Sequence, residues 1–210
     1  MFDIIPLNMV IKSEVEEVVK ILEGLGVPFY FHAGFGLHLR GLESELDDCD
    51  IRIYHPDINE VHQHVKKQSS HEVRLRDSMP YEKGTYDNQC IKILNGTNFD
   101  ICSRMVADCD IGRFEFPFSK DTFSDVTFLP YENMSLPVAS PESLLLYYLV
   151  LRRNHIDGKN DEQRVKDLIV SGKFNPQKFQ QTLPSLPCSD KVKELYFNAM
   201  NQYASNGAQK

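Results

Sequence analysis

The 210-residue sequence contains no tryptophan, and it has no excess of basic side chains: 30 acids against 23 bases leave a formal net charge of −7. A chain of that sign is poorly suited to hold duplex DNA through phosphate contacts, so no duplex DNA partner is expected. Long hydrophobic runs are missing too. The longest, Leu144–Leu151, falls far short of the roughly 20 apolar residues that a bilayer span requires. Residues 1–10 lack a basic stretch followed by an apolar one, so no secretory signal is expected, and no membrane partner is expected either. The five cysteines, Cys49, Cys90, Cys102, Cys109 and Cys188, are odd in number and form no C-x-x-C pair. That pattern argues against a disulfide framework and against a structural zinc site. The expectation is a reduced, cytoplasmic protein.

What is present is the mix of a globular domain: 41% hydrophobic and 25% charged residues, with 13 Phe and 9 Tyr to fill a core. A chain of this size buries about 70% of its unfolded surface on folding, enough for a core without staples. Val15, Val18, Val19 and Leu22 recur at helical spacing behind a Ser13-x-x-Glu16 capping box, predicting a helix over 13–23. Residues 28–32 are aromatic and predict a short buried strand. Ala33-Gly34-Phe35-Gly36 reads as a flexible turn and 37–42 as a short helix. Residues 49–54 read as a strand with Cys49, Ile51 and Ile53 on one face. Asp57 can cap a helix over 58–67.

Val73 and Leu75 suggest a further strand, and the polar segment 79–89, with Pro80 and Gly84, reads as a loop. Residues 90–94 and 98–102 read as two strands of a hairpin joined by Asn95-Gly96-Thr97. The segment 110–135 reads as irregular or short-strand structure. From residue 136 the pattern turns helical: Ser140-Pro141-Glu142 opens an apolar helix to about 151, and further helices are predicted over 161–170, 176–181 and 189–203. The domain reading is an α/β core over 1–135 and a helical segment over 136–210, packed on it.

Three features bear chemistry. The glycines of Gly34-Phe35-Gly36 let backbone approach a ligand, and N–H groups at the start of a following helix suit phosphate. Asp48-Cys49-Asp50 puts two carboxylates on one face of a strand, because residues i and i+2 point the same way. Paired hard oxygen donors suit Mg²⁺, which also takes substrate phosphates. Asp100, between Phe99 and Ile101, is a carboxylate in apolar surroundings and needs a partner or a role; Lys92, across the hairpin, is the structural alternative. Asp108-Cys109-Asp110 repeats the D-x-D spacing with no glycine segment before it. Arg40, one turn past the glycines, is a further phosphate candidate. Arg152, Arg153, Lys159 and Arg164 read as solvated, and Tyr147 and Tyr148 as core residues.

In this order and spacing the sequence resembles the nucleotidyltransferase superfamily, the fold of polymerase β palms and antibiotic nucleotidyltransferases. Ala33-Gly34-Phe35 matches the hydrophobic-Gly-(Gly/Ser) turn, Asp48-Cys49-Asp50 the Asp-x-(Asp/Glu) pair, and Asp100 the third carboxylate. Residues 136–144 resemble the family's passage into its C-terminal helices, and the likeness spans roughly residues 13–170. It departs at Phe35, where the family has Gly or Ser, and at Tyr148, where many members have lysine.

The resemblance implies an α+β fold: a mixed β-sheet flanked by helices, with a C-terminal helical segment. It implies transfer of a nucleoside monophosphate from a nucleoside triphosphate such as ATP to an acceptor hydroxyl, with release of pyrophosphate. Asp48, Asp50 and Asp100 would be catalytic and hold Mg²⁺ or Mn²⁺; Gly34, Phe35, Gly36 and Arg40 would bind the nucleotide. The acceptor, a small molecule, protein or RNA, stays open, the acidic balance favouring a small or cationic one. The alternative is a catalytically degenerate member of the fold that binds a nucleotide or a protein partner. A third reading, metal-dependent phosphate ester hydrolysis, uses the same carboxylates.

Overall fold

The computed structural model describes residues 12–43, 46, 48–76, 79–81, 84–86, 89–94, 96–117, 125–156 and 159–207. They fall into two compact units. The first comprises the described residues within Met1–Asp77, Gln89–Arg104 and Phe118–Ala139; the second those within Ser78–Asn88, Met105–Pro117 and Ser140–Lys210.

The first unit opens with α1 (Lys12–Leu25), whose Val15, Val18 and Leu22 are buried at helical spacing. Burying each such side chain contributes about 1.5–3 kcal/mol. The chain is already helical at Lys12, so Ser13 lies inside α1 rather than capping it. β1 (Phe29–Phe31) runs straight into α2 (Ala33–His38). β2 (Cys49–Ile53) and α3 (Ile58–Gln68) follow, with Asp57 accepting from the N–H groups of Asn59 and Glu60 as its spacing predicts. β3 is Glu72–Arg76.

The segment predicted as a loop contains β4 (Met79–Tyr81) and β5 (Gly84–Tyr86), an antiparallel pair that belongs to the second unit. Pro80 and Gly84 read as loop punctuation, but strand ends tolerate both. β6 (Cys90–Leu94) and β7 (Phe99–Cys102) form the expected hairpin; Asn95 of its turn lies outside the described residues. β8 (Val106–Cys109) and β9 (Gly112–Glu115) are short strands, as are β10 (Thr127–Tyr131) and β11 (Met134–Val138).

β10, β11, β1, β2, β7, β6 and β3, in that order, build a seven-stranded mixed sheet. β1 pairs with β11 and β2 with β7 in parallel; the other neighbours are antiparallel. Side chains alternate across it. Phe31, Cys49, Ile51, Ile53, Ile91, Ile93, Phe99 and Ile101 form one core cluster with the apolar stripes of α1 and α3. The opposite face of the same strands carries Asp50, Arg52, Lys92 and Asp100 beside Tyr30, Cys90 and Cys102.

In the second unit β4, β5, β8 and β9 make a four-stranded sheet. α4 (Pro141–Leu151) is capped by Ser140 and buried over Leu144–Leu151, on every side of its axis. A helix apolar all round must be wrapped by other elements, and α4 contacts β8, α5 (Asp161–Val170) and α7 (Ser189–Gly207). The pair β12 (Asn154–Ile156) and β13 (Lys159–Asn160), α6 (Pro176–Thr182) and a 3-10 turn at Leu183–Ser185 complete it. α7 runs to Gly207, beyond its predicted end. Tyr147 and Tyr148 are core residues as expected. Arg153 is not solvated: it is 7% exposed and ion-paired with Asp161, which is fully buried. The architecture is the expected α+β mixed sheet flanked by helices. Among the described residues no helix is long and apolar enough to cross a membrane.

Candidate metal centre on the polar face of the sheet

The parallel pairing of β2 with β7 sets Asp50 directly beside Asp100, as Cys49 faces Phe99 and Ile51 faces Ile101. Strand alternation sends Cys49, Ile51, Phe99 and Ile101 into the core and both aspartates to the other face. Asp48 immediately precedes β2 and shares that face. One carboxylate oxygen from each of Asp48, Asp50 and Asp100 lies within 4.8 Å of the other two. Among the described residues this is the one such group of three or more potential metal ligands. Asp108 and Asp110 instead take ion pairs with Arg113 and Arg152.

The polar face continues away from the carboxylates as a row of cations. Lys92 on β6 is the cross-strand neighbour of Asp100, and Arg74 on β3 that of Lys92. Lys92 Nζ stands 2.9 Å from Asp100 Oδ1, and Arg76 Nη2 3.6 Å from Oδ2. Lys92 thus takes up one lone pair of the buried Oδ1, and a carboxylate oxygen has a second. Burial, with Asp48 adding to it, raises the Asp100 carboxyl above its ordinary value against the opposing pull of Lys92 and Arg76.

The donor set fits a hard divalent cation. Three carboxylates converge, and one of them is only 7% exposed. Cys49, on the core face, is not part of it: burial, then Asp48 and Asp50, push its thiol well above the ordinary range.

The glycine segment differs locally from the predicted turn. α2 begins at Ala33, so Gly34, Phe35 and Gly36 form its first turn and no loop precedes it. The left-handed residue is Ala33, φ 45°, and not a glycine. That conformation is strained for a residue with a Cβ and turns the chain sharply out of β1. The N–H of His32 donates to the Asp50 carbonyl at 2.8 Å, tying this corner to the strand of the carboxylates. A Cβ placed on Gly34 would meet Leu46 Cδ2 at 3.6 Å, an ordinary contact. Nothing within the described protein therefore requires glycine at that position.

The ring of Phe35 is fully buried, 5.0 Å from that of Phe31 and 5.5 Å from that of Tyr131. It is part of the core; what this residue offers outward is backbone. Arg40 donates from Nη2 to the Ala139 carbonyl at 2.6 Å, just past β11. Tyr148 is fully buried beneath the guanidinium of Arg164, 5.4 Å from its ring centre.

Three residues at or beside the candidate site carried no motif. Arg76 reaches Asp100 from two strands away, although alternation with Val73 and Leu75 places it on the polar face. Arg52, two residues beyond Asp50, is 5% exposed and bonds to Tyr30, while its Nε and Nη2 have no protein partner. Glu14, on the buried stripe of α1, accepts from Gly96 N at 3.1 Å and Thr97 N at 2.7 Å, fixing the turn that leads into β7. A carboxylate at position 14 of a stripe through 18, 22 and 25 is the signal that could have found it.

No protein-family model matches the sequence, and no curated protein matches it. Solved structures do match. The crystal structure of ANT(2'')-Ia in complex with adenylyl-2''-tobramycin covers 88% of this chain and 97% of its own, with 10% identity and a TM-score of 0.53. The solution structure of the antibiotic-resistance factor ANT(2'')-Ia covers 92% of each chain, with 11% identity and a TM-score of 0.50. An antigenic nucleotidyltransferase-like protein from Paracoccidioides brasiliensis covers 94% of this chain and 90% of its own, at 14% identity and a TM-score of 0.49. The assignment rests on the first two, and identities this low speak for architecture alone. The chain has a nucleotidyltransferase-like fold.

Proposed function

We propose that this protein is a metal-dependent nucleotidyltransferase that moves a nucleoside monophosphate from a nucleoside triphosphate to an acceptor hydroxyl. The observation that carries the proposal is the convergence of Asp48, Asp50 and Asp100 within 4.8 Å on a sheet of this fold. The three would hold Mg²⁺ or Mn²⁺, and the ion supplies charge neutralisation for the triphosphate and the departing pyrophosphate.

The chain's own groups would do the rest. Backbone N–H groups of Gly34 and Phe35, at the open start of α2, face the phosphates, with a glycine at 34 that no internal contact requires. Gly36 already spends its N–H on His32, so its part is to keep that turn tight. Arg40 is the guanidinium nearest in sequence, with one edge committed to Ala139. Asp100 would take the proton of the acceptor hydroxyl as general base. The acceptor oxygen bonds to the α-phosphorus as the bond from that phosphorus to the β-bridging oxygen breaks. Its electron pair leaves with pyrophosphate.

A second reading, a protein that binds the nucleotide without transferring it, is favoured by Lys92 and Arg76 already facing Asp100. Calorimetric titration of the four ribonucleoside triphosphates with Mg²⁺, followed by a pyrophosphate-release screen, separates the two. The proposal expects saturable Mg²⁺-dependent binding and acceptor-dependent pyrophosphate, both lost in Asp50→Asn. Binding without pyrophosphate from any acceptor supports the second reading. An Asp50→Asn enzyme with full activity overturns the first.

A further inference from the structure

On the transferase reading just given, the chemical class of the acceptor follows from where the cations stand. With the phosphates at the start of α2, which follows β1, the pyrophosphate would leave on that side. In an in-line displacement the attacking oxygen comes from the opposite side of the α-phosphorus. Across the sheet from β1, the order is β2 with Asp50, β7 with Asp100, β6 with Lys92, then β3 with Arg74 and Arg76. An acceptor whose hydroxyl reaches Asp100 from that side lies over β6 and β3.

The charge there is positive. Lys92 and Arg76 stand 2.9 and 3.6 Å from Asp100, with side chains 23% and 35% exposed, so both are reachable from solvent. Glu72, the acidic residue of β3, is occupied by Arg74 at 2.7 Å. Among the described residues Arg76 Nε is buried with no hydrogen-bond partner. When Asp100 gives one oxygen to a metal, the cation that faces that oxygen loses part of its counter-charge and can take another anion. A cationic acceptor would meet two like charges at the attacking position.

We propose that the acceptor is a small anionic hydroxyl compound, and that Lys92 and Arg76 bind its phosphate or carboxylate group beside Asp100. Guanidinium and ammonium donors aimed at an anion are the strong form of hydrogen bonding. This sets aside the small or cationic acceptor suggested by the overall charge, because the local field decides. The bond changes are those of the transfer step above; only the acceptor's charged group is added.

The test uses the full chain with Mg²⁺ and a non-hydrolysable nucleoside triphosphate. Glycerol 3-phosphate, glycerate, glycerol and serinol are titrated in turn by calorimetry, and pyrophosphate release is then followed with the hydrolysable triphosphate. Glycerol 3-phosphate and glycerate separate a phosphate-bearing from a carboxylate-bearing acceptor. The expected result is saturable binding of at least one anionic compound, weakened at least about tenfold in Arg76→Gln and in Lys92→Met and kept in Lys92→Arg. Melting temperatures of the variants identify any that fail to fold, and Arg76→Gln, on the more exposed residue, keeps the test open if Lys92→Met does. Anion binding with these dependences but no pyrophosphate from any compound upholds the anion site and supports the reading of a protein that binds without transferring. Faster turnover of glycerol or serinol than of either anion overturns the inference and leaves that reading standing. Absence of anion binding, or anion binding indifferent to folded Arg76→Gln, overturns it as well.

Discussion

Replacing Glu14 with alanine should loosen the metal centre from a distance. Glu14 is 9% exposed, and its two carboxylate oxygens accept from Gly96 N at 3.1 Å and Thr97 N at 2.7 Å. Those residues open the approach to β7, four and three positions before Asp100. A hydrogen bond to a charged group contributes about 1.5–3 kcal/mol, so two together contribute about 3–6 kcal/mol. Thr97 is itself buried, so its N–H would be stranded with no water to replace the carboxylate.

For a chain of this length about 1 kcal/mol moves the melting temperature by about 2–4 °C. Glu14→Ala should then melt at least about 6 °C below the wild type. Glu14→Gln, which keeps one acceptor oxygen but turns an amide NH2 group toward the second N–H, should fall between them. Thermal unfolding by circular dichroism reads the first effect. Mn²⁺ titration of the folded variant, well below its melting point, reads the second, a weaker site because Asp100 is no longer held in register. A Glu14→Ala protein that melts within about 2 °C of the wild type would refute the reasoning.

Three further outcomes are expected. Asp161 accepts from Arg153 N at 2.7 Å and Nε at 2.9 Å while fully buried, so Asp161→Asn should cost about 3–5 kcal/mol in denaturant unfolding by leaving a buried guanidinium uncompensated; a cost below about 1 kcal/mol contradicts this. Phe35→Ser, although it restores the family-like residue, should destabilise by about 3–5 kcal/mol, as large-to-small aromatic changes in cores do, without improving triphosphate affinity; tighter binding from a stable variant would show that the ring blocks a phosphate. Because the folded protein holds the Asp100 proton to higher pH than the unfolded chain, this group favours folding most at low pH and loses that contribution as pH rises from the ordinary aspartate range through the raised value. The metal-free wild type should therefore lose stability relative to Asp100→Asn across that window, and parallel pH profiles would sink the claim.

The parts of the fold legible in the sequence are those with a local period. The stripe through Val15, Val18 and Leu22, the cap at Asp57, the helix after Ser140 and the hairpin carrying Asp100 all follow from spacing over a few residues. Alternation along β2 and β7 was enough to put Cys49 opposite the aspartates. What has no local signal is pairing between distant segments. The parallel register that sets Asp50 beside Asp100 joins strands 50 residues apart, and Glu14 finds Gly96 and Thr97 across the hairpin turn. Arg153 reads as solvated because its partner, Asp161, lies beyond a β-pair that brings the chain back. At Ala33 the glycines on either side of Phe35 suggest a turn, but the sharp corner is made by the alanine and the glycines continue as helix.

The central claim is that Asp48, Asp50 and Asp100 bind one cation together with a triphosphate. The direct measurement is anomalous diffraction from crystals grown with Mn²⁺ and a non-hydrolysable triphosphate. The account predicts an anomalous peak in coordination contact with oxygens of all three aspartates and of the triphosphate, absent in crystals of folded Asp50→Asn. A triphosphate bound elsewhere, or Mn²⁺ missing from the three carboxylates while Lys92 still faces Asp100, would contradict it.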